Sequence, residues 1–63
     1  MLIMKEVVGL SSDGFSEAVR NAIEKLISQG EKIHFFQVNE QRGSVRDGGL
    51  KEFQVIIKVA IES

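Results

Sequence analysis

The chain has 63 residues, one histidine, no cysteine and a formal net charge of −1. That length supports one domain, residues 1–63, with one small core, and the missing cysteines exclude disulfides and zinc-thiolate sites. The eight Lys and Arg residues are scattered along the chain, which argues against a nucleic-acid module with a clustered basic face.

Chains this short rarely gain more than about 3 to 5 kcal/mol from one core, and usually recruit disulfides, a structural metal or partner subunits. Disulfides are excluded, and one histidine without a dense carboxylate loop makes a poor metal site. Oligomerisation is the remaining route. Met1 to Met4 is followed by the charged pair Lys5-Glu6, so no apolar stretch is long enough for a signal peptide or a membrane span. The expectation is a cytoplasmic protein, and the absence of cysteine fits a reducing compartment.

Leu2 to Gly9 is a short β-branched-rich run ending at glycine, which predicts a first strand. The following Gly9-Leu10-Ser11-Ser12-Asp13-Gly14 offers several helix N-caps. Ser11 is the favoured cap, with Asp13 in the first-turn field. From Phe15 the apolar residues Phe15, Ala18, Val19, Ala22, Ile23, Leu26 and Ile27 form one stripe at helical spacing. The opposite side carries a solvated charged face, on which Arg20 and Glu24 stand one turn apart as an expected ion pair worth about 0.2 to 0.5 kcal/mol. Gly30 can take the left-handed conformation that stops the helix.

A second strand is predicted from Glu31 or Lys32 to about Arg42, followed by a return through Gly43 to Gly49. There Asp47-Gly48-Gly49 marks a turn, read as longer than the tightest two-residue hairpin. The third strand, Leu50 to Ile61, alternates: Phe53, Val55, Ile57, Val59 and Ile61 line one face, and Glu52, Gln54, Ile56, Lys58 and Ala60 the other. The first of these faces is assigned to the helix. The fold class is therefore α+β, in the order β-α-β-β, with one helix on a small antiparallel sheet.

In the second strand, strict alternation groups His34 with Phe36 and Val38, and Ile33 with Phe35 and Gln37. Phe35 and Ile56 then fall on the uncovered face of the sheet, with Gln37 and Gln54 nearby. Such a partly apolar, amide-bearing surface suits a subunit contact or a flat ligand. His34 has no serine, cysteine or carboxylate placed by any motif to partner it, so it reads as a solvated or hydrogen-bonded strand histidine, and the chain does not read as an enzyme. Arg42 is expected to pair with a carboxylate such as Glu40 or Glu52.

Three segments together resemble the dodecin family over nearly the whole chain: Glu6-Val7-Val8-Gly9-Leu10-Ser11-Ser12-Asp13-Gly14; Phe35-Phe36-Gln37-Val38 with Arg42-Gly43; and Asp47-Gly48 followed by Phe53-Gln54-Val55 and Lys58-Val59. The resemblance implies a sheet wrapped around the helix and trimers assembled into a hollow homo-dodecamer. It further implies flavins, riboflavin or FMN, bound in pairs between subunits for storage, sequestration or buffering. In the family pattern an aromatic residue stacks on the isoalloxazine and a glutamine meets its polar edge, positions matched here by Phe35 and Gln54; Gln37 is a candidate either for a ligand contact beside Phe35 or for a hydrogen bond across a subunit boundary.

The chain also departs from the family pattern. Phe35 stands where tryptophan is usual, His34 where an acid is usual, and Gln37 where glutamate is expected. The chain ends at Ala60-Ile61-Glu62-Ser63, where relatives commonly continue through an aromatic and an arginine. Phenylalanine has a smaller, less electron-rich face, and stacking is worth about 0.5 to 1.5 kcal/mol per pair. Each site is therefore expected to be a few-fold weaker. The alternative reading is a dodecin-like structural shell that has lost flavin binding or takes another small ligand.

Overall fold

The computed structural model describes all residues, Met1–Ser63. In chain order it comprises strand β1 (Leu2–Ser11), helix α1 (Phe15–Ser28), strand β2 (Ile33–Arg46) and strand β3 (Gly49–Glu62). The three strands form one antiparallel sheet in the order β1-β3-β2, so the last strand is central. This is the β-α-β-β arrangement expected from the sequence.

The core lies between α1 and one face of the sheet. Ala18, Ala22 and Leu26, each four residues apart, are buried against Val55, Ile57, Val59 and Ile61 of β3. Phe15 meets Phe53 edge to face, with ring centroids 5.0 Å apart, a geometry aromatic quadrupoles favour. Small residues on the helix allow close approach to β1. Asn21 adds a tether, its Nδ2 donating to the Leu10 carbonyl at 2.9 Å.

Both ends of α1 are built by backbone geometry. Ser11 is not the cap: it belongs to β1, paired with Phe53, and its Oγ accepts the Asp13 N–H at 2.9 Å to close a turn. Gly14 occupies the cap position without a side-chain bond. At the other end Gly30 has φ 87°, and the N–H groups of Gly30 and Glu31 donate to the Ile27 and Leu26 carbonyls at 3.0 and 3.1 Å. That pair of bonds is the Schellman motif, which satisfies carbonyls the helix leaves free.

The β2–β3 connection is tighter than expected. Arg46 pairs with Gly49, leaving Asp47 and Gly48 as a two-residue loop with φ of 54° and 77°. Positive φ at both positions is the signature of a type I′ turn, whose twist matches that of the strands it joins. Strands β2 and β3 consequently extend four residues and one residue further toward the turn than the sequence reading placed them.

The helix covers β1 and β3 but not β2. Along the gap runs an apolar groove of about 370 Å³, lined by Val19, Ile23, Ile27 and Phe36 together with Ser16, Arg20 and Glu24. It is continued by Phe15, Val38 and Gln41. The helical stripe is thus wider than the sheet surface that buries it, and Ile27 and Phe36 stay about half exposed. Only 10 of 63 residues are buried, and the molecule measures 46 × 21 × 13 Å with a radius of gyration of 12.7 Å. A compact chain of this length would have a radius near 10.6 Å, from about 2.2 × N^0.38 Å. The elongated shape leaves more apolar surface uncovered than a self-sufficient domain does.

Candidate functional site

The sheet face turned away from α1 is built in cross-strand rows, because antiparallel partners project to the same side. One row comprises Met4, Ala60 and Phe35; the next Glu6, Lys58 and Gln37; then Val8, Ile56 and Glu40; then Leu10, Gln54 and Arg42. Phe35 therefore lies in an apolar row in which Ala60 is fully buried while Met4 and Phe35 are about half exposed. Gln37 stands in a charged row. Gln54 stands in a polar one.

Phe35, Gln37 and Gln54 thus share the uncovered face, as alternation predicted, but they do not converge within one chain. The partner of Phe35 on β3, Ala60, is six residues from Gln54, a separation of roughly 20 Å at about 3.3 Å per strand residue. That exceeds the length of a fused three-ring system. A flat ligand touching a phenyl ring and a glutamine here must take them from different copies of the chain.

Two bulges reset the pattern along β2. Ile33 pairs with Ile61 and Phe35 with Ala60, so His34 is the extra residue; a second step between Val38 and Glu40 makes Asn39 extra. Each bulge adds one residue to one strand and flips everything beyond it. Ile33 therefore packs against the core rather than beside Phe35, and His34 leaves the face of Phe36 and Val38. Its Nε2 instead lies 3.0 Å from Oε1 of Glu62, the hydrogen-bonded setting expected of a strand histidine.

Gln54 is held from both sides. Arg42 Nε donates to its Oε1 at 2.8 Å, and its Nε2 donates to Glu52 Oε1 at 3.0 Å. Arg42 also faces Glu40, Nη1 to Oε2 at 3.4 Å, one of the two carboxylate partners anticipated for it. The expected Arg20–Glu24 pair does not form; the ion pairs are Lys5–Glu31 and Arg42–Glu40. The role of Glu52 toward Gln54 was not read from the sequence, although Glu-x-Gln spacing on one strand face is a signal that two side chains will meet. No group of three His, Asp or Glu side chains stands close enough to hold a metal ion. No helix is long and apolar enough to cross a membrane.

The chain matches the Dodecin family model over residues 3–62. A curated dodecin of Thermus thermophilus is 33% identical over 54 residues, covering 86% of this chain and 78% of that protein. The dodecin structure from Streptomyces coelicolor superposes with a TM-score of 0.91 at 36% identity, over 100% of this chain and 94% of that one. A tryptophan-to-phenylalanine mutant of the T. thermophilus dodecin superposes with a TM-score of 0.89 at 31% identity, over 97% and 91%. In sequence segments, strand order and overall geometry alike, the chain belongs to the dodecin family.

Proposed function

We propose that the chain assembles as a hollow homo-dodecamer that binds riboflavin or FMN between subunits and stores, sequesters or buffers it in the cytoplasm, without catalysing a reaction. The observation that carries the reading is the separation of Phe35 from Gln54 on one uncovered, partly apolar face. A stacking ring and a donor–acceptor amide, each incomplete alone, are complementary to a planar heterocycle once two copies meet. Family membership supplies the expectation of flavin, and the aromatic and amide positions of the family pattern fall on Phe35 and Gln54. Gln37, in the row next to Phe35, is placed to contact the ligand or the neighbouring subunit.

Assembly is supported by how little one chain buries. The α1–β2 groove, the outer sheet face and the unpaired outer edges of β1 and β2 are surfaces that further copies would cover. The direct test of the ligand is riboflavin titration of purified protein: quenched flavin fluorescence and a shifted absorption band are expected, and a free-flavin signal throughout would refute the reading.

A second reading, a dodecin-like shell that has lost flavin or takes another small ligand, is favoured by phenylalanine at position 35. The solved tryptophan-to-phenylalanine mutant shows that a dodecin keeps its fold after a substitution of that kind. Flavin affinity, not architecture, separates the two readings.

A further inference from the structure

Gln54 does not hang free on the outer face. With Arg42 Nε donating to its oxygen and Glu52 accepting from its nitrogen, turning the amide over would set donor against donor on one side and acceptor against carboxylate on the other. Hydrogen bonds to charged partners are the stronger kind. Both partners lie on the same face of the sheet as Gln54. Arg42 is the backbone neighbour of Gln54 across β2–β3 and faces Glu40, while Glu52 lies two residues before Gln54 on the same side of β3.

We propose that Arg42 and Glu52 are positioning residues that lock the Gln54 amide in one orientation and so decide which carbonyl of a bound imide edge Gln54 reads. This rests on the flavin reading above. An amide oxygen has two acceptor positions and an amide nitrogen two hydrogens. Arg42 occupies one of the former and Glu52 one of the latter, which leaves one acceptor position and one donor hydrogen on the same amide. The pyrimidine edge of a flavin is an N–H between two carbonyls, and it can meet such a pair through either carbonyl. A locked amide satisfies only one of the two for a ring stacked on a given face; a free amide accepts both.

Two measurements test this on the full assembled protein. In the ligand-free state, with glutamine isotopically labelled for NMR, one Gln54 side-chain hydrogen should be displaced by the carboxylate; Glu52→Ala should return it toward the position of solvated glutamines, and Glu52→Gln should restore most of the displacement. With riboflavin labelled at one pyrimidine carbonyl at a time, infrared spectra should show a single carbonyl lowered in frequency in the unmodified protein and both partly lowered in Glu52→Ala. Affinity in Glu52→Ala should fall about two- to tenfold, as for one lost hydrogen bond, with recovery in Glu52→Gln. Gln54 resonances indifferent to Glu52→Ala would overturn the lock. Altered resonances with an unchanged carbonyl pattern and affinity would overturn its role in recognition. If the unmodified protein takes up no riboflavin, the flavin reading and the imide half of the proposal fail together, while the ligand-free spectra still decide the lock.

Discussion

Gly9 of β1 lies directly beneath the Ala18 carbonyl of α1, so closely that a Cβ at position 9 would overlap that oxygen and come 3.1 Å from the Ala22 Cβ. The bare backbone there lets the helix settle onto β1 and β3, and that placement leaves the groove along β2 open. Gly9→Ala should destabilise the fold by about 1 to 3 kcal/mol, the usual cost of overpacking, because the obstructing atom is backbone and cannot swing aside. Gly30→Ala should cost about 1 to 2 kcal/mol for its left-handed conformation alone, having open space around it. Denaturant midpoints measure both, and only Gly9→Ala should disturb the NMR signals of the packed Ala18 and Ala22 methyl groups.

The Asp47-Gly48 turn fixes the β2–β3 register by requiring positive φ at two successive residues. Asp47→Val should lower stability by about 1 to 2 kcal/mol, since a β-branched residue strongly resists that conformation. Asp47→Asn should be nearly neutral. Equal midpoints for the two variants in thermal unfolding would contradict the turn assignment.

Position 35 separates the two readings of function. Phe35→Trp should tighten riboflavin a few-fold, from about half of a stacking contribution of about 0.5 to 1.5 kcal/mol, and Phe35→Ala should weaken it. In a shell without a flavin site, the larger ring would change stability alone. Fluorescence titration of the three proteins side by side distinguishes these outcomes.

The α1–β2 groove provides a test of assembly. Phe36 is about half exposed in the single chain, and the proposed particle covers the groove with another copy. Phe36→Glu should then reduce the native mass at micromolar concentration, because a carboxylate buried without a partner is costly. An unchanged native mass would show that no subunit contact uses this groove.

Much of the fold was legible because the signals were long and regular. The helical stripe from Phe15 to Ile27 and the alternation from Phe53 to Ile61 each repeat enough times to fix a period, and the central strand has no bulge between Glu52 and Glu62. What escaped reading was local. Nothing in the residue types marks His34 and Asn39 as bulged, yet those two steps decide that Ile33 enters the core and that Glu40 joins the outer face. Asp47-Gly48 was seen as a turn signal but not as the whole loop, because the preceding glycine at Gly43 suggested an earlier strand end. Gly43 instead stays in β2, opposite Phe53.

The candidate site was legible as a face and not as a distance. Alternation places Phe35, Gln37 and Gln54 on one side of a sheet, but only the pairing register reveals that two rows stand between those of Phe35 and Gln54. The Arg42 contact to Gln54 crosses from β2 to β3 and depends on the pairing register, which spacing along one strand does not encode, whereas Glu52 reaches Gln54 from two residues away on the same strand.

Titration of riboflavin with the purified, assembled protein, followed by flavin fluorescence, addresses the central claim most directly. Stacking between copies predicts quenching that saturates at a fixed ratio of flavin to chain within tens of micromolar, a binding free energy of about 6 to 7 kcal/mol. Fluorescence equal to that of free riboflavin across the same range would contradict it.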